Sequence, residues 1–167
     1  MPASRALVSL AALAVGTTLA GLGGTAAHAS GSRSAAARPP ALCKAAQLKV
    51  TVKKVSRPAN HLLITAKNTS RSRCDMGILG EVAFDGRIRA TPPQGVGGGP
   101  DIVAPGQSRY EGVLLVGRGA HGSGTAVTKL AVKLDSGDTA TVPVNTRVNK
   151  PAHGTWQHTE QDALRRP

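Results

Sequence analysis

The chain has 167 residues and carries 21 Lys and Arg against 9 Asp and Glu, a formal net charge of +12 at pH 7. This length suits one domain with a modest core and excludes the paired six-stranded barrels of a trypsin-like protease. Only three residues are aromatic (Phe84, Tyr110 and Trp156), so the core must be built from Val, Ile, Leu and Ala.

The first 29 residues are typical of a secretory signal peptide. Arg5 supplies the positive charge, residues 6–22 form an apolar run, and Ala27-His28-Ala29 matches an A-x-A cleavage site. We therefore predict cleavage between Ala29 and Ser30, export, and no transmembrane segment in the mature chain. The mature chain would be secreted or associated with the cell envelope, with 138 residues and a charge of +11, because cleavage removes only Arg5 among its charged residues.

Cys43 and Cys74 are the two cysteines of the chain. In an exported protein two cysteines predict one disulfide, and only one pairing is possible. Closing this loop would contribute about 3–4 kcal/mol in the chain-entropy model. The alternative of two free thiols or a metal pair lacks nearby His or further Cys ligands.

A polar linker precedes a series of short predicted strands. Residues 30–41 are rich in Ser, Ala, Arg and Pro, which predicts a flexible linker. Alternation of Leu48, Val50 and Val52 with polar residues predicts the first strand. Leucine on both faces of residues 61–67 predicts a more deeply buried, central strand. Further strands are predicted at residues 76–79, 81–84, 87–90, 109–116, 129–134 and 139–144.

The connections carry turn signals. Asp85-Gly86 predicts a tight hairpin and Pro105-Gly106 a type II turn. Short strands at regular spacing with such turns predict an all-β antiparallel sandwich of about seven to eight strands over residues 42–146. Residues 147–167 are predicted to form a flexible C-terminal tail.

The order of these features resembles a known family. Cys43, the alternating strand at 48–52, the Asn68-Thr69-Ser70 turn before Cys74, and the turn at 103–108 follow the pattern of exported immunoglobulin-like domains of unestablished function. Such domains are common in high-GC Gram-positive bacteria. The resemblance covers roughly residues 42–144 and implies an immunoglobulin-like sandwich with the Cys43–Cys74 bridge. Members often have a second cysteine pair, and its lack here predicts a less constrained loop at 117–124.

Several motifs point to chemistry but have simpler explanations. Gly117-x-Gly119-x-x-Gly122 matches a dinucleotide fingerprint, yet strand-like residues follow where a helix is needed. His153 and His158 flank Trp156, but at i, i+5 they do not share a helix face, so a solvated tail is favoured over a metal site. We predict no catalytic residues, no metal and no cofactor. Asn68-Thr69-Ser70 is formally a glycosylation sequon but is explained by a polar turn.

Charge is the remaining signal. Alternation places Lys49 and Lys53 on one face of the first strand and Lys129 and Lys133 on one face of a later strand. These four lysines are the predicted binding residues, and an anionic wall polymer or membrane surface is the predicted partner. Nucleic acid is not expected, because single-strand binding needs aromatic stacking platforms. The simpler explanation is a basic protein kept soluble by its charge.

The function predicted from these features is a non-enzymatic binding module. The rival is a secreted inhibitor that presents residues 91–100 or 117–124 to an extracellular hydrolase. Inhibitor loops are usually pre-organised, which reduces the cost of binding. Both segments are rich in glycine, so the inhibitor is ranked second.

Overall fold

Two four-stranded antiparallel sheets and one short ladder form the fold of residues 38–78 and 80–165, the part of the chain that this computed structural model describes. The first sheet has the order β1 (Leu48–Val55), β2 (His61–Asn68), β7 (Ser108–Leu114), β10 (Ala152–His153). The second has the order β5 (Ile88–Arg89), β4 (Glu81–Phe84), β8 (Thr125–Lys133), β9 (Thr139–Val148). The ladder pairs β3 (Cys74–Asp75) with β6 (Ile102–Val103), and one helix follows, α1 (Glu160–Arg165).

The predicted all-β antiparallel sandwich is confirmed. One apolar cluster lies between the two sheets and takes side chains from both, among them Leu62 and Ile64 on β2 and Phe84, Leu130 and Val132 on the facing sheet. The number of strands is ten in the described residues, above the predicted seven to eight. The difference comes from two-residue strands, which are too short to produce a periodic pattern in the sequence.

β2 is central and buried on both faces, as its sequence predicts. It pairs with β1 on one side and β7 on the other, and Leu62, Leu63 and Ile64 are each at most 2% exposed. Leu62 and Ile64 belong to the inter-sheet core. Leu63 points the other way, toward the outer face, because side chains alternate along a strand. Something must therefore cover the outer face of this sheet.

That cover is the C-terminal segment, so the prediction of a flexible tail from residue 147 is wrong. β9 continues to Val148, β10 pairs with β7, and α1 packs on β7 and β2. Trp156 is 7% exposed and belongs to the core cluster, while Ala163 of α1 is 1% exposed. Gly112 on β7 accommodates the helix, since a Cβ there would overlap the Ala163 carbonyl.

The predicted turns are confirmed, and one predicted strand is wrong. Asp85 and Gly86 both have positive φ, and the Asp85 carboxylate accepts hydrogen bonds from the backbone of Thr128 and Lys129. Gly106 has φ +81 and follows Pro105 in a turn closed by a Gln107–Ala104 hydrogen bond. Residues 76–78 are not a strand, and residue 79 lies outside the described residues. The strand nearest to this point is β3, which ends at Asp75, immediately before the predicted segment.

Cys43 and Cys74 form the predicted disulfide, with their Cα atoms 4.9 Å apart. Beside it Asn68 is fully buried, and its side-chain amide donates to the carbonyls of Ser72 and Val103. Its sequon therefore serves as a turn, as expected. The predicted signal peptide and most of the predicted linker lie outside the described residues. Within residues 38–78 and 80–165, α1 is too short to cross a membrane and no other helix is long and apolar enough.

Candidate functional site

The structure places the four predicted lysines in two separate groups. The sheets pack through their inner faces, and Lys49 and Lys53 lie on the outer face of the first sheet, opposite in direction to Val50 and Val52. Lys129 and Lys133 are exposed on the outer face of the second sheet, alternating with buried core residues. The two lysine pairs therefore point away from each other and do not form one site.

The positive charge of Lys129 and Lys133 is partly neutralised by nearby carboxylates. Glu81 on the neighbouring strand forms an ion pair with Arg89 and lies 3.9 Å from the Lys133 ammonium group. Asp85 lies at the other end of this face, where it binds the backbone of Lys129. Backbone hydrogen bonding, chiefly from Thr128, holds the pKa of Asp85 below its usual value, so this carboxylate keeps its negative charge. Two carboxylates thus reduce the positive potential around Lys129 and Lys133.

Lys67 lies beside Lys49 and Lys53 on the outer face of the first sheet, although the sequence pattern did not indicate it. Lys67 on β2 is the direct cross-strand partner of Lys49 on β1, and both side chains are exposed. Directly opposed residues have Cβ atoms about 4.5–5.5 Å apart, so this pairing sets two like charges side by side. A hairpin closed through residues 56–60 brings Lys67 opposite Lys49, so the register was the signal that could have identified it. We call Lys49, Lys53 and Lys67 the lysine face.

Further cations border the lysine face at the disulfide end of the sheet. The loop after β2 is held beside β1 by a 2.9 Å hydrogen bond from the Thr69 amide to the Gln47 carbonyl. It carries Arg71 and Arg73, both exposed. Among the described residues, no carboxylate lies within 4.0 Å of the charged group of any lysine-face residue or of these two arginines. Within the part of the chain that the structure describes, no carboxylate pairs with this positive charge.

The loop at residues 117–124 is held by side chains from the end of β9 and just beyond it. Arg147 donates to the carbonyls of Ser123 and Gly124, each at 2.7 Å. Asn149 donates to the carbonyl of His121 at 2.7 Å, and the Lys150 ammonium group to that of Gly119 at 3.2 Å. These hydrogen bonds constrain the glycine-rich loop without a second cysteine pair.

A buried acid–histidine pair lies between β7 and β10. Glu111 is fully buried on the inner face of β7, and its Oε1 lies 2.7 Å from Nδ1 of His153, which is 1% exposed. Oε2 of Glu111 has no hydrogen-bond partner. Burial raises the pKa of Glu111, and the hydrogen bond and charge of His153 act in the opposite direction. The expectation that His153 lies in a solvated tail is wrong.

Trp156 and His158 do not join this pair. Trp156 lines a groove beneath residues 96–100, and its buried Nε1 has no hydrogen-bond partner in the structure. His158 is exposed at the same groove, while His153 is buried elsewhere. The two histidines are thus separated, and no group of three metal-ligating side chains occurs among residues 38–78 and 80–165.

Residues 43–163 match the sequence model of a family described as a domain of unknown function (DUF4232). The chain belongs to this family. The DUF4232 region begins at Cys43 and ends at Ala163, so it includes both disulfide cysteines and the segment that covers the first sheet. No curated protein and no solved structure matches the chain.

The span of the DUF4232 match agrees with the structure in making the C-terminal segment part of the domain. His153, Trp156 and Ala163 all fall inside the matched region and are all buried. Among the features that the domain presents to solvent are the lysine face, the held loop at 117–124, and a cavity beside His153. Of these, the lysine face has the clearest chemical preference, which is for negative charge.

Proposed function

We propose that this chain is an exported, non-enzymatic binding module that associates with anionic polymers of the cell envelope through the lysine face. The observation that supports this proposal is the direct opposition of Lys49 and Lys67 across β1 and β2. Like charges in this position destabilise a sheet, and a bound phosphate or carboxylate would relieve their repulsion. The face therefore favours a ligand that brings negative charge.

A polymer suits this face better than a single anion. Lys49 and Lys53 are four residues apart on one strand, which corresponds to roughly 13 Å at about 3.3 Å per residue. Arg71 and Arg73 extend the positive surface beyond Lys67. Repeated negative charges along a chain could contact several of these cations at once and release counterions as they bind.

The test compares two variants that lose the same charge. Lys49, Lys53 and Lys67 are replaced by Gln in the first, and the exposed residues Arg87, Lys129 and Lys133 by Gln in the control. Sedimentation with purified cell wall is measured across a salt series. We expect wild-type binding to fall steeply with salt, and the first variant to bind about tenfold or more weakly with a smaller salt slope. The control should keep most of its affinity.

Equal loss in both variants would show that bulk charge drives binding and that no site exists. Wild-type protein that stays in solution at low salt would contradict the proposal. β1 is also an edge strand, and lysines on such strands block edge-to-edge aggregation. If the first variant self-associates but binds wall normally, the lysine face serves that protective role.

The export part is tested by N-terminal sequencing of secreted material, which should begin at Ser30.

A hydrolase inhibitor is the second candidate, and the held loop at 117–124 favours it. Arg118 lies exposed within this loop, whose backbone is fixed by Arg147, Asn149 and Lys150. A pre-organised loop with a basic residue matches a protease that cleaves after Arg or Lys. Titration of such proteases with the chain should give stoichiometric inhibition that Arg118→Ala abolishes. Turnover of the chain as an ordinary substrate would exclude this function.

A further inference from the structure

Glu111 is the one carboxylate residue that is buried among residues 38–78 and 80–165. Taking a carboxylate out of water is costly unless all its lone pairs are satisfied. Here Oε1 accepts one hydrogen bond and Oε2 accepts none. By contrast Glu81, which lies nearby at the surface, is paired with both Arg89 and Lys133. Glu111 therefore retains unused capacity to bind a donor or a cation.

The contacts of His153 fix which of its ring nitrogens carries hydrogen. Nδ1 lies 2.7 Å from Oε1 of Glu111 and 3.0 Å from the carbonyl oxygen of Gly154. A carbonyl oxygen only accepts, so Nδ1 must be the donor. In the neutral ring Nε2 is then an acceptor, and it has no hydrogen-bond partner among the described residues. A carboxylate that orients a histidine in this way leaves the opposite nitrogen ready for a ligand.

A cavity of about 340 Å³ lies beside this pair, lined by Gly80, Glu81, Arg89, Ala90, Pro92 and His153. Besides His153, Gly80 is a part of the wall that lies close to Glu111. A Cβ at Gly80 would lie 3.7 Å from Oε2 of Glu111 and only 3.1 Å from Val132. Because this position has no side chain, the buried carboxylate lies directly behind the cavity wall.

The charges around the cavity select the kind of ligand. Glu81 and Arg89 neutralise each other at the mouth, where Arg89 is 75% exposed and can move away. Lys133 approaches Glu81 from the outer face of β8. Behind the wall lies Glu111, a buried carboxyl group whose Oε2 has no hydrogen-bond partner. The group that best complements an acceptor nitrogen backed by a buried carboxylate is a cation that donates hydrogen bonds.

We propose that this cavity binds a small organic cation bearing a primary ammonium group, with Nε2 of His153 accepting a hydrogen bond from the ammonium and Glu111 supplying the buried counter-charge. The ligand's carbon chain contacts Ala90 and Pro92. This site is separate from the lysine face, whose ligand would carry the opposite charge. Burial raises the pKa of Glu111, and a bound cation favours the ionised carboxylate, so binding should strengthen as pH rises through that pKa.

The test uses three probes of similar size and different charge: n-butylammonium, n-butanol and n-butyrate. Binding is followed by the NMR signals of the His153 ring and by thermal shift, on the full mature chain. We expect butylammonium to move the His153 signals and raise the melting temperature, with the other two probes at least tenfold weaker. Glu111→Gln keeps an acceptor for Nδ1 but removes the charge, and should weaken butylammonium at least tenfold. Arg89→Ala should strengthen it severalfold by removing a competing cation.

Other results would overturn the proposal. Equal binding of butanol and butylammonium would show a merely apolar cavity. Preferential binding of butyrate would show that His153 is the charged partner and that the site takes anions. Unchanged butylammonium affinity in Glu111→Gln would remove the buried counter-charge from the mechanism. Glu111→Gln should leave sedimentation with cell wall unaltered, so failure of this proposal can be told apart from failure of the lysine-face proposal.

Discussion

His153 donates a 2.7 Å hydrogen bond from Nδ1 to Oε1 of Glu111, although the two residues are 42 positions apart in the chain. The bond joins the central part of β7 to the short strand β10, and both side chains are withdrawn from solvent. It is the buried polar contact through which the C-terminal segment is tied to the interior of the sandwich. Removing one member of this pair should therefore affect stability differently from removing the other.

Replacing His153 should cost far more stability than neutralising Glu111. His153→Ala leaves the Glu111 carboxylate buried without a partner, and removing one member of a buried pair costs about 3–5 kcal/mol. Glu111→Gln keeps an acceptor for the hydrogen bond from Nδ1 and removes the buried charge, so its free energy of unfolding should not fall by a comparable amount. Urea denaturation of the two variants and the double variant measures this. Equal costs for the two single variants would contradict the prediction.

The pair should also govern how stability depends on pH. Burial raises the pKa of Glu111, so the folded state holds the proton more tightly than the unfolded state does. The stability that this proton gives is fully present below the ordinary glutamate pKa and is lost as pH rises through the raised value. Subtracting the Glu111→Gln curve from the wild-type curve isolates the effect. The wild type should lose stability relative to the variant as pH rises, and a difference of opposite sign would refute the assignment.

Gly112 should be intolerant of even one methyl group. A Cβ there would overlap the backbone carbonyl of Ala163, so Gly112→Ala should displace α1 and lower the free energy of unfolding by about 1–3 kcal/mol. Gly97→Ala is the matched control, because a Cβ at Gly97 meets no atom within 4 Å. Hydrogen exchange should show faster exchange in α1 and β10 for the first variant only. Equal stability of both variants would mean that α1 does not pack on β7.

Loss of the side chains that hold the 117–124 loop should make it sensitive to protease. Trypsin cleaves after Arg118 efficiently only if the local backbone can distort during cleavage, which the hydrogen bonds from Arg147 and Asn149 oppose. The double variant Arg147→Ala/Asn149→Ala should yield a fragment beginning at Gly119 at least tenfold faster than wild type. Wild-type cleavage at the same rate would show that these contacts do not constrain the loop.

Removing the disulfide should destabilise the domain without changing its fold. The bond closes a loop with a sequence separation of 31, so replacing Cys43 and Cys74 by Ser should lower the free energy of unfolding by about 3–4 kcal/mol. Denaturation with and without reductant measures the effect, and the double-serine variant should match reduced wild type. A variant as stable as oxidised wild type would show that the bridge is dispensable.

The candidate sites differ in how far the sequence could predict them. Lys49 and Lys53 are recognisable because an exposed strand face repeats every second residue. That Lys67 lies opposite Lys49 depends on the register between β1 and β2. That Lys129 and Lys133 lie on the opposite side of the domain depends on how the two sheets pack. The Glu111–His153 pair has no sequence signal, because its members lie on different strands with 41 residues between them.

The sequence by itself determined the local structure of this protein. Alternating Val, Leu and Ile define the long strands, Asp85-Gly86 and Pro105-Gly106 define turns, and two cysteines allow one bridge, since each of these depends on interactions between near neighbours or on a single possible pairing. Only the tertiary structure decided the role of residues 147–165. His153 is buried against Glu111 of β7, Trp156 against the core between the sheets, and Ala163 against Gly112 of β7. These contact surfaces lie on other parts of the chain and exist only after the sheets have formed.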